Sequence, residues 1–155
     1  MLTVKLWGRG VQAKEATGSV NTQYFRRRAG QFIYSKLDFL NCAFAIIPPE
    51  LDGYQSTLDL PAFDFRGDIN KSLFLEIVKQ KSFYKNYGEQ ANGSRKAKRI
   101  NPGVFFEMPI CLPCIDEQNK IAEFLTALDD KIELAGRELA KAQEFKQGLL
   151  QQMFV

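Results

Sequence analysis

The chain has no histidine and only three cysteines among its 155 residues. Without an imidazole, histidine-based metal centres, Ser-His and Cys-His catalytic pairs and a histidine general base are all excluded. The odd cysteine count argues against the disulfide framework of a secreted protein. Cys111 and Cys114 have the C-x-x-C spacing of half a zinc knuckle or of a redox pair. Only Cys42 and carboxylates remain to complete such a ligand set, so the pair reads as small buried residues flanking Pro113. No run approaches eighteen consecutive apolar residues, and Met1-Leu2-Thr3-Val4-Lys5 lacks the basic region and apolar stretch of a signal peptide. Those absences point to a cytoplasmic protein with no membrane association. Phosphate-binding glycine loops are missing, and Pro48-Pro49 lies between Ile47 and Glu50, outside any Asp/Asn-Pro-Pro-aromatic motif. No catalytic residue, metal ligand or cofactor site is assigned, and the chain reads as a non-enzyme.

What is present is concentrated at the carboxyl end. From Ile121 an apolar or small residue recurs at alternating steps of four and three: Ile121, Leu125, Leu128, Ile132, Ala135, Leu139, Ala142, Lys146, Leu149 and Met153. Only Lys146 interrupts this ridge. A 3.5-residue repeat sustained over more than four heptads is the seam of a coiled-coil helix, whose face must be buried against a partner helix. A helix from Asp116 to Met153 would extend about 57 Å at roughly 1.5 Å per residue. The alanines at the facing position permit close approach, and Lys146 penalises wrong registers. Gly136 and Gly148 each cost about 1 kcal/mol against alanine, which close packing at those points would make tolerable.

Upstream, the first twenty residues read as glycine-rich loops around a short strand. Apolar or alternating runs at Gln31–Tyr34, Ala43–Ile47 and Leu58–Phe65, bounded by Gly30, Asn41, Pro48-Pro49 and Asp52-Gly53, predict strands. Asn70 or Asp68 is placed to cap a helix ending near Gln80, with Leu73, Phe74, Ile77 and Val78 on one face, and a further turn or two through Phe83, Tyr84 and Tyr87. A strand over Val104–Phe106 precedes the terminal helix, whose acidic start at Asp116-Glu117 suits the macrodipole. The architecture expected is α+β: a mixed domain over residues 1–113, then one long helix over residues 114–155.

Charge divides along the same boundary. Residues 1–115 carry 16 Lys/Arg against 10 Asp/Glu, a surplus of six, whereas residues 116–155 carry 5 against 8. The domain is therefore the part suited to a polyanion. Arg95, Lys96, Lys98 and Arg99 fall within five residues of a polar segment, the best candidate for neutralising phosphates. Arg9, between Gly8 and Gly10, would be carried on a loop, and Lys14 and Lys36 complete the candidate DNA contacts. Arg26-Arg27-Arg28, following Tyr24 and Phe25 on a strand, would alternate between two faces. A solvated surface run explains any of these cations equally well.

The run Leu112-Pro113-Cys114-Ile115-Asp116-Glu117-Gln118-Asn119-Lys120-Ile121-Ala122-Glu123-Phe124-Leu125, continued by Leu128-Asp129-Asp130-Lys131-Ile132-Glu133, resembles the junction between target-recognition domain and spacer helix in type I restriction-modification specificity subunits. Gly30–Leu37, Asn41–Pro48, Glu50–Thr57 and Ser94–Ile100 are similar to that family's central strands, turns and basic loop. The resemblance implies a non-catalytic subunit that reads double-stranded DNA for methyltransferase (M) and restriction (R) subunits, with spacer helices paired antiparallel to fix the distance between half-sites. Specificity subunits of this family carry two recognition domains and two helices, whereas this sequence has one of each. Two alternatives follow: a half-subunit that completes itself as a homodimer, or a fragment. A reading of another class also stands, an assembly module that docks on methyltransferase subunits with little DNA binding of its own.

Overall fold

The computed structural model of the protein describes residues 1–15, 22–89 and 99–153. Strands β1 (Leu2–Val4) and β2 (Val11–Ala13) form an antiparallel hairpin, so the amino-terminal region holds two strands where the glycine-rich pattern suggested one. β3 (Tyr24–Arg26) pairs with β6 (Gln55–Thr57), and β5 (Phe44–Ile46), β4 (Phe32–Tyr34) and β7 (Ala62–Phe63) form a three-stranded antiparallel sheet with β4 at its centre.

Alternation along β4 and β5 gives the domain its two cores. Phe32, Tyr34 and Phe44 face an aromatic cluster completed by Phe39, Phe74, Val78, Tyr84, Ile100 and Phe105, with ring centroids 5.0 Å apart for Tyr34–Phe105 and 4.9 Å for Phe39–Phe44. Ile33, Ala43 and Ala45 face the opposite way and meet Leu2, Val4, Ile47 and Leu51. The central strands are thus buried on both faces, between a helical layer and the β1–β2 hairpin. Tyr34 is fully buried, and its hydroxyl donates to the Ile100 carbonyl at 2.9 Å, which satisfies the one polar group the aromatic core contains there. Burial pushes its phenol pKa well above the usual value.

The helices begin with α1 (Lys71–Lys79), capped by Asn70, whose side-chain oxygen accepts from the Leu73 N–H at 3.1 Å. Leu73, Phe74 and Val78 form its buried stripe, with Ile77 only half-buried beside them. Gln80 turns extended and separates α1 from α2 (Lys81–Glu89), which buries Phe83 and Tyr84.

Two of the expected strands are corrected. Val104–Phe106 lies in a short helix, α3 (Pro102–Phe106), because Pro102 at its first position and Asn101 before it set a helical start that outweighs the apolar triplet. Within Leu58–Phe65 only Ala62–Phe63 pairs. The chain turns at residues 57–60, where the Leu60 N–H donates to the Thr57 carbonyl at 3.1 Å.

The terminal helix α4 spans Ile115–Met153, 39 residues or about 58 Å. It docks on α1 by its first turns only. Gln118 is 2% exposed; its amide nitrogen donates to the carbonyls of Pro113 and Asp68 at 2.9 and 3.1 Å, and its amide oxygen accepts from the Asn70 N–H at 2.9 Å. Ala122 is buried against α1, Leu125 is half-buried, and with Leu73 and Glu76 they line a shallow cleft between the helices. At about 100° per residue, Gln118 and Ala122 project roughly a quarter-turn away from the line of Ile121, Leu128 and Ile132. The docked face and the heptad ridge are therefore offset faces of one helix that meet at Leu125, which belongs to both. Apart from Leu125 the ridge stays bare: Ile132 is 69% exposed and Leu139 60%, with Ile121, Leu128, Lys146, Leu149 and Met153 exposed as well. Nothing lies within 4 Å of a Cβ built at Gly136 or Gly148.

Candidate nucleic-acid interface

Backbone hydrogen bonds gather three segments at one end of the central sheet. The β4–β5 connection, residues 35–43, closes that end through the Ser35 N–H on the Ala43 carbonyl at 3.0 Å. On one side the β1–β2 tip leans on it, with the Trp7 N–H donating to the Asn41 carbonyl and the Gly8 N–H to the Cys42 carbonyl, both at 2.8 Å. On the other side the Ile100 N–H donates to the Lys36 carbonyl at 3.1 Å, and the Lys36 N–H to the Asp59 carbonyl at 2.9 Å. Arg9, at the tip, and Arg99, at the foot of the basic segment, therefore flank the same turn.

The tip is held in a demanding backbone conformation. Trp7 has φ +62°, a left-handed geometry that costs a bulky residue about 1–3 kcal/mol and persists only where surroundings impose it. Gly8 follows at φ +65°, and a Cβ there would lie 2.7 Å from Lys79 Cε, so the tip sits directly on the last turn of α1. Cys42 is itself left-handed at φ +52° and buried, with its thiol 3.7 Å from the Lys79 carbonyl. Burial pushes that thiol's pKa up, Lys79 opposes the shift and Glu76 adds to it.

The expected DNA contacts do not fall together. Arg9 is exposed at the tip. Arg99 is exposed but ion-paired with Asp59 at 3.5 Å, while Arg95, Lys96 and Lys98 lie outside the described residues. Lys14 stands at the opposite end of the hairpin, where its N–H donates to the Met1 carbonyl at 2.7 Å, so it does not join Arg9. Lys36 is corrected: it is 6% exposed, because the Asp59 and Ile100 backbones close over β4's continuation, and it is no open phosphate contact. Sequence reasoning missed Trp7, which is 56% exposed beside Arg9. No residue pattern marked it, because its left-handed backbone arises where the tip pairs with the turn at Asn41 and Cys42.

The Arg26–Arg28 run is distributed at the other end of the sheet. β3 ends at Arg26. Arg27 is half-buried, donates to Ser56 Oγ at 2.7 Å and to the Leu60 carbonyl at 3.0 Å, and lies 5.1 Å over the Phe25 ring; burial lowers its pKa. Arg28 pairs with Asp64 at 2.8 Å. Arg27 and Arg28, just beyond the strand, thus have structural partners within the fold.

Cys111 and Cys114 are exposed, not buried, because the segment before α4 runs along the surface. Among the described residues no group of three or more His, Cys, Asp or Glu side chains is placed to hold a metal ion, and no helix is long and apolar enough to cross a membrane.

Residues 54–144 match the family model of the type I restriction modification DNA specificity domain, more than half of the chain. The fold is similar to that of the HsdS subunit from Thermoanaerobacter tengcongensis, with a TM-score of 0.71 at 18% identity over 96% of this chain. The chain spans 39% of that subunit's length. A match from β6 through most of α4, across the Gln118 junction, makes the assignment direct: the chain belongs to the type I restriction modification DNA specificity domain family.

Proposed function

We propose that the chain is the sequence-reading element of a type I restriction-modification complex, with no catalytic step of its own. The domain over residues 1–113 grips duplex DNA, and the helix over residues 114–155 sets the distance to a second reader. The observation that supports this most directly is the separation of the two tasks along α1: the rod is fastened at its amino end through Gln118 and Asn70, and the hairpin tip rests at its carboxyl end on Lys79. Arg9 and Arg99 supply phosphate contacts at that far end, Arg95, Lys96 and Lys98 are further cations of this reading that lie outside the described residues, and nearby polar and aromatic side chains enter the groove.

The bare ridge of α4 pairs with the same ridge on a second copy, antiparallel, through Ile121, Leu125, Leu128, Ile132, Leu139, Leu149 and Met153, with Lys146 fixing register. Two-fold symmetry then presents identical readers to a bipartite palindromic site. Methyltransferase and restriction subunits are the partners that this reading directs to the site, and the cytoplasm is where it works. Selecting bound duplexes from a random pool with the full chain tests the whole reading. Two inverted half-sites at one fixed spacing are expected; a pool that stays random despite binding would overturn it.

A second reading, an assembly module with weak DNA contact, draws on the burial of Lys36 and the Arg99–Asp59 pair, which thin the available cations. Gel shifts with and without the methyltransferase subunit separate the two, because only the module needs that subunit before duplex is retarded.

A further inference from the structure

We propose that Trp7 is an aromatic probe that packs against an unstacked base step when the hairpin tip meets DNA, an inference that rests on the duplex-binding reading above. Four observations converge on it. The indole is more than half exposed although its residue occupies a left-handed conformation that bulky side chains avoid. The tip is braced rather than loose: the Trp7 and Gly8 N–H groups are each held at 2.8 Å on the turn at Asn41 and Cys42, the Lys5 N–H closes the loop on the Gly10 carbonyl at 2.8 Å, and Gly8 sits against the Lys79 stem. Lys5 and Arg9, two residues to either side of Trp7 in sequence, are both exposed, so the sign of charge on this tip suits a phosphate backbone. Leu6, also exposed, extends the apolar wedge.

A rigid apolar projection set between cations is the device by which side chains enter a base step, with neighbouring cations on the adjoining phosphates. The indole offers a flat π-face and one N–H donor, so it stacks on any base and can donate to a minor-groove acceptor. The strained backbone carries a bulky residue where a glycine would leave the turn relaxed and bare.

Trp7 is the single tryptophan of the chain, so its fluorescence reports this site alone. The experiment titrates the full chain with duplexes it has itself selected from a random pool. Labelled-DNA anisotropy measures binding and tryptophan emission measures the contact, with heparin as a polyanion that has no bases. Duplex is expected to quench the emission strongly and heparin to leave it nearly unchanged. Trp7→Phe should keep affinity within about 3-fold, whereas Trp7→Gly should weaken it about 5- to 100-fold. The same Trp7→Gly change should raise the thermal midpoint, since it relieves the left-handed residue, and a purely structural tryptophan would not combine higher stability with weaker binding. Saturable anisotropy with unchanged emission, or a Trp7→Gly chain that binds as before, overturns the Trp7 assignment and leaves DNA reading intact. Failure of the chain to retain any duplex at low salt overturns both.

Discussion

The side-chain oxygen of Gln118, in the first turns of the long helix, accepts the Asn70 N–H at 2.9 Å, at the residue that caps α1. The Asn70 side chain meanwhile accepts from Leu73 and donates to Asn119 Oδ1 at 2.8 Å. One residue therefore starts α1 and holds the rod beside it. Replacing Gln118 by Leu would strand the Asn70 N–H and the Asp68 and Pro113 carbonyls, of which water can recover only part. A loss of about 2–4 kcal/mol is expected in urea unfolding of the domain. Self-association through the distal ridge should be unaffected, because Ile132 and Leu139 lie about four and six turns away.

Acidic substitution on the ridge should act in the opposite sense. Ile132→Glu and Leu139→Glu place charges where the isolated chain is already exposed, so the monomer's thermal midpoint should move by no more than a degree or two. If the ridge pairs two copies, each change weakens association by at least about 100-fold in sedimentation equilibrium, and Lys146→Leu strengthens it while relaxing register. A chain that is monomeric at every concentration before mutation would end the paired-rod reading.

Tyr34→Phe removes the hydroxyl that satisfies the Ile100 carbonyl and should cost about 1–2 kcal/mol near neutral pH. Burial raises the folded phenol's pKa, whereas in the unfolded chain it titrates near about 10. The unfolded state therefore loses this proton first. The stability contributed by Tyr34 is fully present below about pH 10 and falls as pH rises above it, by up to about 1.4 kcal/mol per pH unit. Urea midpoints measured from pH 7 to 11 should show the parent chain losing its advantage over Tyr34→Phe.

Salt dependence separates cations that touch phosphate from those that build the fold. Arg9→Ala should lower the slope of log affinity against log salt by about 0.9 for one lost contact. Arg99→Ala should do the same and also release Asp59, so the double change Arg99→Ala with Asp59→Asn isolates the phosphate effect. Lys36→Met should leave the slope unchanged. A reduced slope for Lys36→Met would return that residue to the interface.

The helices were readable where a periodic stripe coincided with a polar cap. Asn70 with Leu73, Phe74 and Val78 gives α1, and the heptads give α4 to within one residue of its observed start. The strands are three residues or shorter, so their alternation is too brief to fix bounds, and β6 escaped notice because its central residue, Ser56, is a buried hydroxyl bonded to Leu60 and Arg27. Apolar content alone misassigned Val104–Phe106, where Pro102 decided the outcome. Among the candidate contacts, charge selected exposed Arg9 and Arg99 and buried Lys36 alike, because Lys36's burial depends on pairings between residues distant in sequence. Trp7 escaped because its significance is a backbone angle, which composition does not reveal.

The exposed pair Cys111 and Cys114 stands at the neck where the rod leaves the domain, while Cys42 is buried and burial pushes its thiol's pKa up. Thiol reagents should therefore mark the neck selectively, without any engineered residue. In a head-to-tail pair the two necks would sit nearly a full rod apart, on the order of 55–60 Å, and in a side-by-side pair they would nearly touch. Spin labels on these native sulfurs would thus read out the polarity of the assembly from the dipolar distances between the two necks, set apart from the short distance within each.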